Sequence, residues 1–253
     1  MDAGCHLFIE KPLSVSDDNL ETLEATVSSR RKIGIVGYNF RFYRPLSILR
    51  TALQAGRIGT PQIAEFRVGQ FLPDWRKGRS SHDTVSAQRA LGGGALLELS
   101  HELDILRWTL GEAEYLVAIA GRVSDVTLDT EDVADLILTM RTGVRATIHL
   151  DFLQRKKERR WRVAGTKGAV EWCWDDHVLR ISDENGGVET RALFDYGEGF
   201  SADEMYREEI AHFIDLIEGR CPDNRSPISE ARRTLQLVSA ARRSALTGQV
   251  VFL

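Results

Sequence analysis

The sequence predicts an α/β chain with two textures: a short β-α-β-α opening of parallel-sheet type, then a large, mostly antiparallel open sheet. Three observations predict it. Ile33-Gly34-Ile35-Val36-Gly37 is a continuous apolar run of the kind buried on both faces of a parallel sheet, with a helical pattern on either side. Between Tyr115 and Leu193, short β-rich runs alternate with turn signals such as Arg141-Thr142-Gly143, Gly165-Thr166-Lys167-Gly168 and Glu184-Asn185-Gly186-Gly187, a pattern of hairpins. Between the two textures, Gly92-Gly93-Gly94 leads into Leu96, Leu99, Leu103, Leu106 and Leu110, apolar residues at threes and fours that make one stripe of a helix.

Taken in order, residues 5–9 are an apolar strand that ends at Glu10-Lys11-Pro12. Ser14, Ser16 and Asp17 then lead into a helix over 16–29, striped by Leu20, Leu23 and Val27. Arg30, Arg31 and Lys32 suit its negative end. The strand 33–37 precedes a helix over 45–55 stopped by Gly56, and Gly59-Thr60-Pro61 turns the chain into a strand over 63–71. After the central helix, strands are expected over 115–120, 133–140, 144–152, 160–164, 169–174, 178–182 and 188–193. Two helices close the chain: 202–218, striped by Ile210, Phe213, Ile214 and Ile217, and 229–246, stopped at Gly248. No internal repeat or low-complexity tract interrupts this order.

Composition bounds the function. A chain of 253 residues, 43% hydrophobic and 28% charged, can bury a sizeable core as one large domain or two smaller ones. No run approaches the roughly twenty apolar residues that cross a bilayer, and Met1-Asp2-Ala3-Gly4-Cys5-His6 lacks a secretory start, so cytoplasm is the expected compartment. Cys5, Cys173 and Cys221 are scattered and odd in number, which suits thiols in a reducing compartment and offers no C-x-x-C metal spacing. A net charge of −4 and a pI near 5.9 recommend neither nucleic acid nor a membrane surface as partner.

The chemistry is expected on the central helix. Glu98 and His101 are three apart, as are His101 and Asp104, so each pair shares a helix face where a carboxylate could fix the imidazole tautomer and raise its basicity. A metal site there would need a second histidine at helical spacing, and none is present. Trp75, Arg76 and His82 lie in a long polar segment, 72–88, that reads as a substrate loop. The run Arg155-Lys156-Lys157-Glu158-Arg159-Arg160 reads as a solvated face. His149 and Asp151 alternate with Ile148, Leu150 and Phe152 and read as exposed polar positions. Gly197-Glu198-Gly199-Phe200-Ser201-Ala202 is a near match to a phosphate-cradling turn, but its acidic surroundings argue against that use.

Several short motifs stand in a recognisable order: Glu10-Lys11-Pro12, Tyr38-Asn39-Phe40-Arg41-Phe42, Gly56-Arg57-Ile58-Gly59, the glycine triplet with its downstream histidine, Gly165-Thr166-Lys167-Gly168 and Thr247-Gly248-Gln249-Val250-Val251. In that order and spacing, across nearly all of the chain, they resemble the Gfo/Idh/MocA family of NAD(P)-dependent sugar and polyol oxidoreductases. The resemblance implies a partial, N-terminally truncated Rossmann-type parallel sheet over 1–42, without the glycine-rich turn that holds a pyrophosphate. It implies an α/β substrate and oligomerisation domain over 43–253, with its last helix packing back on the first. A homodimer or homotetramer through the open sheet is implied too.

Carried over residue by residue, the resemblance makes Lys11 and His101 the catalytic pair. Lys11 would stand beside the nicotinamide and the reacting hydroxyl, and His101 would exchange the hydroxyl proton. Glu10, Lys11, Pro12, Asn39 and Arg41 would face the cofactor, NAD or NADP. Lys11, Glu98, His101, Trp75 and Arg76 would face a sugar, polyol or sugar derivative. Glu98 stands three residues before the histidine, where the commoner pattern has an aspartate four before it. The implied activity is hydride transfer between a nicotinamide and a hydroxyl-bearing carbon. The alternative is a non-catalytic sugar-binding or assembly module of the same descent, unable to hold a dinucleotide because no glycine-rich phosphate turn precedes Cys5.

Overall fold

Two short strands, β1 (Leu7–Ile9) and β2 (Gly34–Val36), pair in parallel, Leu7 opposite Gly34 and Ile9 opposite Val36, with helix α1 (Leu20–Ser29) as their crossover. The structure is a computed structural model and describes residues 4–75, 78, 84–175, 177–192 and 201–253, with backbone alone at 191 and 192. β2 is buried throughout because α1 and the final helix cover it, and a Cβ at Gly34 would strike the Ile228 side chain. The C-terminal ends of both strands open onto one place: β1 delivers Glu10-Lys11-Pro12, and β2 delivers a 3-10 turn, Asn39–Phe42.

Helix α2 (Arg44–Gln54) carries a proline in its first turn, which pre-sets the helical φ where no N–H partner is needed. It leads into β3 (Pro61–Gly69), the centre of a nine-stranded sheet. The other strands are β4 (Ala113–Gly121), β5 (Val133–Met140), β6 (Arg145–Asp151), β7 (Glu158–Gly165), β8 (Gly168–Cys173), β9 (Val178–Asp183), β10 (Val188–Ala192) and β11 (Val251–Phe252). Their order is β10-β9-β8-β7-β3-β6-β5-β4-β11, antiparallel at every pairing except β3 with β6. The parallel pair arises because the chain leaves β3 and returns to β6 only after the glycine triplet, the central helices and the β4-β5 hairpin; that crossover sets both strands in one direction.

Strict alternation along the strands buries one face of the sheet. Phe66 lies between Ile148 on β6 and Trp161 on β7, and Trp161 stacks on Trp172 with ring centroids 4.2 Å apart. The opposite face keeps Ile63, Ile119, Ile137 and Phe252 exposed among charged residues. Helices α3 (Ala95–Glu98), α4 (His101–Leu110), α5 (Asp203–Ile217) and α6 (Ile228–Thr247) complete the fold. α6 spans both sheets: Ser244 Oγ accepts from the Ala118 N–H of β4, and Arg232 pairs with Glu21 and Glu24 of α1.

Several expectations are corrected. The central helix is two helices, because Leu99 departs from helical geometry (φ −98°, ψ 22°) ahead of Ser100, whose hydroxyl is held against the Tyr38 phenol. The close approach made by the glycines is to the chain itself. A Cβ at Gly93 would lie 2.5 Å from the Ser86 and Val85 carbonyl oxygens, and one at Gly94, with φ of +105°, would strike the Glu131 carboxylate. Glu131 accepts from the Ala95 and Leu96 N–H groups through its carbonyl and carboxylate oxygens, which caps α3.

α5 buries Met205, Glu209, His212 and Leu216; of the expected stripe, Phe213 is half-buried and packs on Phe8 at 5.7 Å, while Ile210, Ile214 and Ile217 are exposed. Its inward face is set by Phe42 against His212 and by the Arg225 N–H donating to His212 Nε2. Asp151 is buried as well. It accepts from the Leu153 and Gln154 N–H groups and from the Gln154 side-chain amide, and it pairs with His149 at 3.0 Å. None of the three cysteines is in a disulfide. No helix among the described residues is long and apolar enough to cross a membrane.

Candidate active site

The turn after β1 lays the Lys11 side chain over the end of α3. Its ammonium donates to the Glu98 carbonyl at 2.8 Å and lies 4.0 Å from the Glu98 carboxylate. Burial lowers the Lys11 pKa from its ordinary value; Glu98 works against that fall and Arg159 adds to it. The Lys11 cation is therefore held close to a carbonyl and a carboxylate but is only partly compensated. Glu10, one residue earlier, packs on Gly37 at the end of β2, where any Cβ would strike its carboxylate.

His101 is the first residue of α4. Its ring meets the edges of Phe40 and Tyr38 at centroid distances of 4.9 and 5.6 Å, so the turn that follows β2 builds the imidazole's seat. Neither ring nitrogen has a hydrogen-bond partner among the described residues, and Nδ1 is buried. Burial first, then the charges of Lys11 and Arg159, push His101 well below the usual histidine range, and its place at a helix N-terminus acts in the same direction. The ring is neutral at pH 7.

This overturns the expected carboxylate support of the imidazole. Asp104 turns away and takes the Arg41 guanidinium in a two-point pair at 2.8 and 2.7 Å, and it also accepts from Thr234 Oγ1 at 3.0 Å. Glu98 Oε2 accepts from Ser86. The break at Leu99 and Ser100 separates the helical turns of Glu98 and His101 and removes the shared face on which the expectation rested.

Two further groups close the site. Arg159, expected in a solvated charge run, is buried and pairs with Glu102 at 2.7 Å, with its guanidinium 4.3 Å from the centre of the Phe40 ring. Glu102 also accepts from Trp161 Nε1 at 3.3 Å, so a fully buried carboxylate is satisfied from two strand positions. Lys157 lies 3.5 Å over the Trp174 ring, and burial brings its ammonium down to about 8. The signal that could have found both was period-2 alternation. Residues 157, 159, 161 and 163 share one strand face, and Trp161 and Val163 are core residues.

Of the other expected site residues, Asn39 is buried beside Tyr206 with its Oδ1 lacking a partner among the described residues. Pro12 follows Lys11 in the same turn. Arg41 is not free to serve a ligand with its whole fork: it is committed to Asp104 and to the Arg225 carbonyl, and Glu230 also approaches it at 3.5 Å. Trp75 packs its ring on Phe152 at 5.3 Å, with its indole N–H buried and unpartnered among the described residues. Arg76 and His82, and most of the 197–202 segment, lie outside the described residues. Among the described residues no group of three or more His, Cys, Asp or Glu side chains is placed to hold a metal ion.

A nicotinamide ring is a flat amide-bearing cation when oxidised, and it asks for polar groups at the carboxyl ends of parallel strands. Here that place holds the unpartnered Asn39 Oδ1, the unpartnered His101 ring and the Lys11 ammonium. The residues present fit the nicotinamide end of a dinucleotide.

Residues 47–171 match the GFO/IDH/MocA C-terminal domain. The chain is 26% identical over 257 residues to myo-inositol 2-dehydrogenase of Thermotoga maritima, an alignment covering 94% of this chain and 70% of that protein. It is 30% identical over 233 residues to 1,5-anhydro-D-fructose reductase of Ensifer adhaerens, covering 86% and 63%. It is 28% identical over 200 residues to levoglucosan dehydrogenase of Pseudarthrobacter phenanthrenivorans, covering 77% and 50%. The chain thus spans between half and seven tenths of the length of these relatives. A levoglucosan dehydrogenase solved with NADH and levoglucosan superposes with a TM-score of 0.87 at 18% identity, covering 100% of this chain and 75% of that one. An inositol dehydrogenase homologue from Azotobacter vinelandii, solved with NADH and myo-inositol, gives 0.85 at 15%, covering 100% and 73%.

Proposed function

We propose, for a chain that belongs to the GFO/IDH/MocA family through its residues 47–171, that Lys11 and His101 handle the proton side of hydride transfer between a nicotinamide and a hydroxyl-bearing carbon of a sugar or polyol. The observation that carries the reading is their convergence. The Lys11 ammonium from the β1 turn is held on the Glu98 carbonyl at 2.8 Å, and three residues on, at the start of α4, stands the imidazole of His101, unpartnered among the described residues.

In the oxidising direction the Lys11 ammonium holds the substrate hydroxyl and lowers the cost of negative charge building on its oxygen, while a ring nitrogen of His101 accepts the hydroxyl proton. A bound nicotinamide supplies the hydride acceptor in that direction and the donor in the other. In reduction the protonated His101 returns its proton to the carbonyl oxygen. The burial and neighbouring cations that keep the ring neutral make its protonated form a strong acid, suited to that donation. Arg159 and Glu102 fix the wall behind Phe40. Asn39 would offer its open Oδ1 to an amide N–H of the cofactor, and Glu10 and Pro12 would set the direction of Lys11. The relatives named for myo-inositol, levoglucosan and 1,5-anhydro-D-fructose support a polyhydroxylated substrate.

The test is an NADH titration of the 253-residue chain, followed by nicotinamide fluorescence, together with NAD+ reduction on myo-inositol and levoglucosan. A saturable fluorescence change and turnover that falls about 10²-fold or more in Lys11→Met and in His101→Asn support the reading. No saturable change at millimolar cofactor, or turnover untouched by both substitutions, overturns it.

A further inference from the structure

Six residues along α4 from His101, about 9 Å of helix rise, Arg107 and Trp108 form one wall of a second cleft, of about 640 Å³, closed by α2 and the loop before α6. Four guanidinium groups line it, from Arg41, Arg50, Arg107 and Arg225, against the two carboxylates of Asp223 and Glu230. The two buried arginines are already answered: Arg41 by Asp104, and Arg107 by Glu112 at 2.9 and 2.6 Å. Glu230 sits between them, 3.5 Å from Arg41 and 3.3 Å from Arg107.

The other two are not answered. Arg50 lies over the Trp108 ring at 4.4 Å and Arg225 over Phe42 at 5.7 Å, and among the described residues neither guanidinium has a carboxylate within 4 Å or a side-chain hydrogen bond. Burial and the Arg41 charge both disfavour the Arg50 cation, with only Glu230 opposing them. Among the described residues, Arg50 and Arg225 are thus the cations of the cleft with no carboxylate in direct contact, and Glu230 and Glu208 act on them only from further off. Ser47, Thr51 and Gln54 add hydroxyl and amide groups on the α2 side.

The geometry points to this cleft as a binding site for a small polyhydroxylated anion, a phosphorylated or carboxylated sugar, whose oxyanion is held by Arg50 and Arg225 and whose hydroxyls meet the α2 rim. A guanidinium fork matches either oxyanion, and Trp108 holds the Arg50 plane in place. The cleft shares only Arg41 with the residues expected at the Lys11 and His101 site, and Arg41 is committed to Asp104, so the cleft stands or falls independently of the reaction proposed there.

The probes are glucose 6-phosphate, gluconate and neutral glucose, titrated calorimetrically into the full chain. Saturable binding of either anion, weakened about tenfold in Arg50→Gln and again in Arg225→Gln, screened by added salt and retained in Lys11→Met, supports the site. Binding of the first anion alone assigns a phosphate, and binding of both assigns an oxyanion in general. Arg50→Lys, which keeps charge but not the fork, falls between wild type and Arg50→Gln. The site is overturned if neither anion binds at about 10 mM, if glucose binds as well as the anions, if the arginine variants bind equally, or if Lys11→Met abolishes binding.

Discussion

Replacing Glu209 with glutamine changes one atom and removes a titration from the interior. Glu209 sits on the inward face of α5, fully buried, with both carboxylate oxygens lacking a partner among the described residues. Burial, and then the charge of Glu10, raise its pKa from 4.5 to about 8, so the folded chain holds a proton at pH 7 that the unfolded chain releases. The native state binds more protons across that window, and stability must fall as pH rises from about 4.5 to about 8. The gap sets a ceiling of about 5 kcal/mol, of which about 3 applies at pH 7. Relaxation and screening around the carboxylate bring the expected effect to about 1–2 kcal/mol. Glutamine keeps the shape and neutrality of the protonated acid. Urea unfolding at pH 5 and at pH 8 should show Glu209→Gln close to wild type in acid and more stable by that amount in base. Parallel pH dependence in the two proteins would refute the reasoning.

Arg159→Met should cost about 3–5 kcal/mol, because it leaves Glu102 buried without its cation. Adding Glu102→Leu should restore most of the loss, and urea melts of the single and double variants measure it. Trp172→Ala should cost about 3–5 kcal/mol by opening a cavity against Trp161 and Tyr43, read as a lower denaturation midpoint at unchanged slope.

The sheet was legible because alternation states its own burial. The runs 133–140 and 178–182 recur as Val133–Met140 and Val178–Asp183, and the hairpin turns fall where glycine permits them. The closing helices were legible in extent but not in face. Ile210, Ile214 and Ile217 outrank Glu209 and His212 on any hydropathy scale, yet α5 is oriented by Phe42 and the 224–226 loop, partners far away in sequence. At the site, Lys11 and His101 could be named from their motifs, but their electrostatics could not. Whether Asp104 serves His101 or Arg41 depends on a break at Leu99 and on Thr234, 130 residues downstream. Arg159 was hidden by its neighbours Arg155, Lys156 and Arg160, whose charges drew the whole run to the surface.

The most direct measurement of the central claim is the pH profile of kcat/KM for NAD+-dependent polyol oxidation. A His101 below the usual 6.5 and an ammonium at Lys11 below the usual 10.5 set the two limbs of that profile. The rate should drop on the acid side only below about 6.5, and on the alkaline side before about 10.5. The acid limb should vanish in His101→Asn along with about 10²-fold of the rate. An acid limb that persists unchanged in that variant, or a chain that reduces no NAD+ with any polyol, would contradict the account.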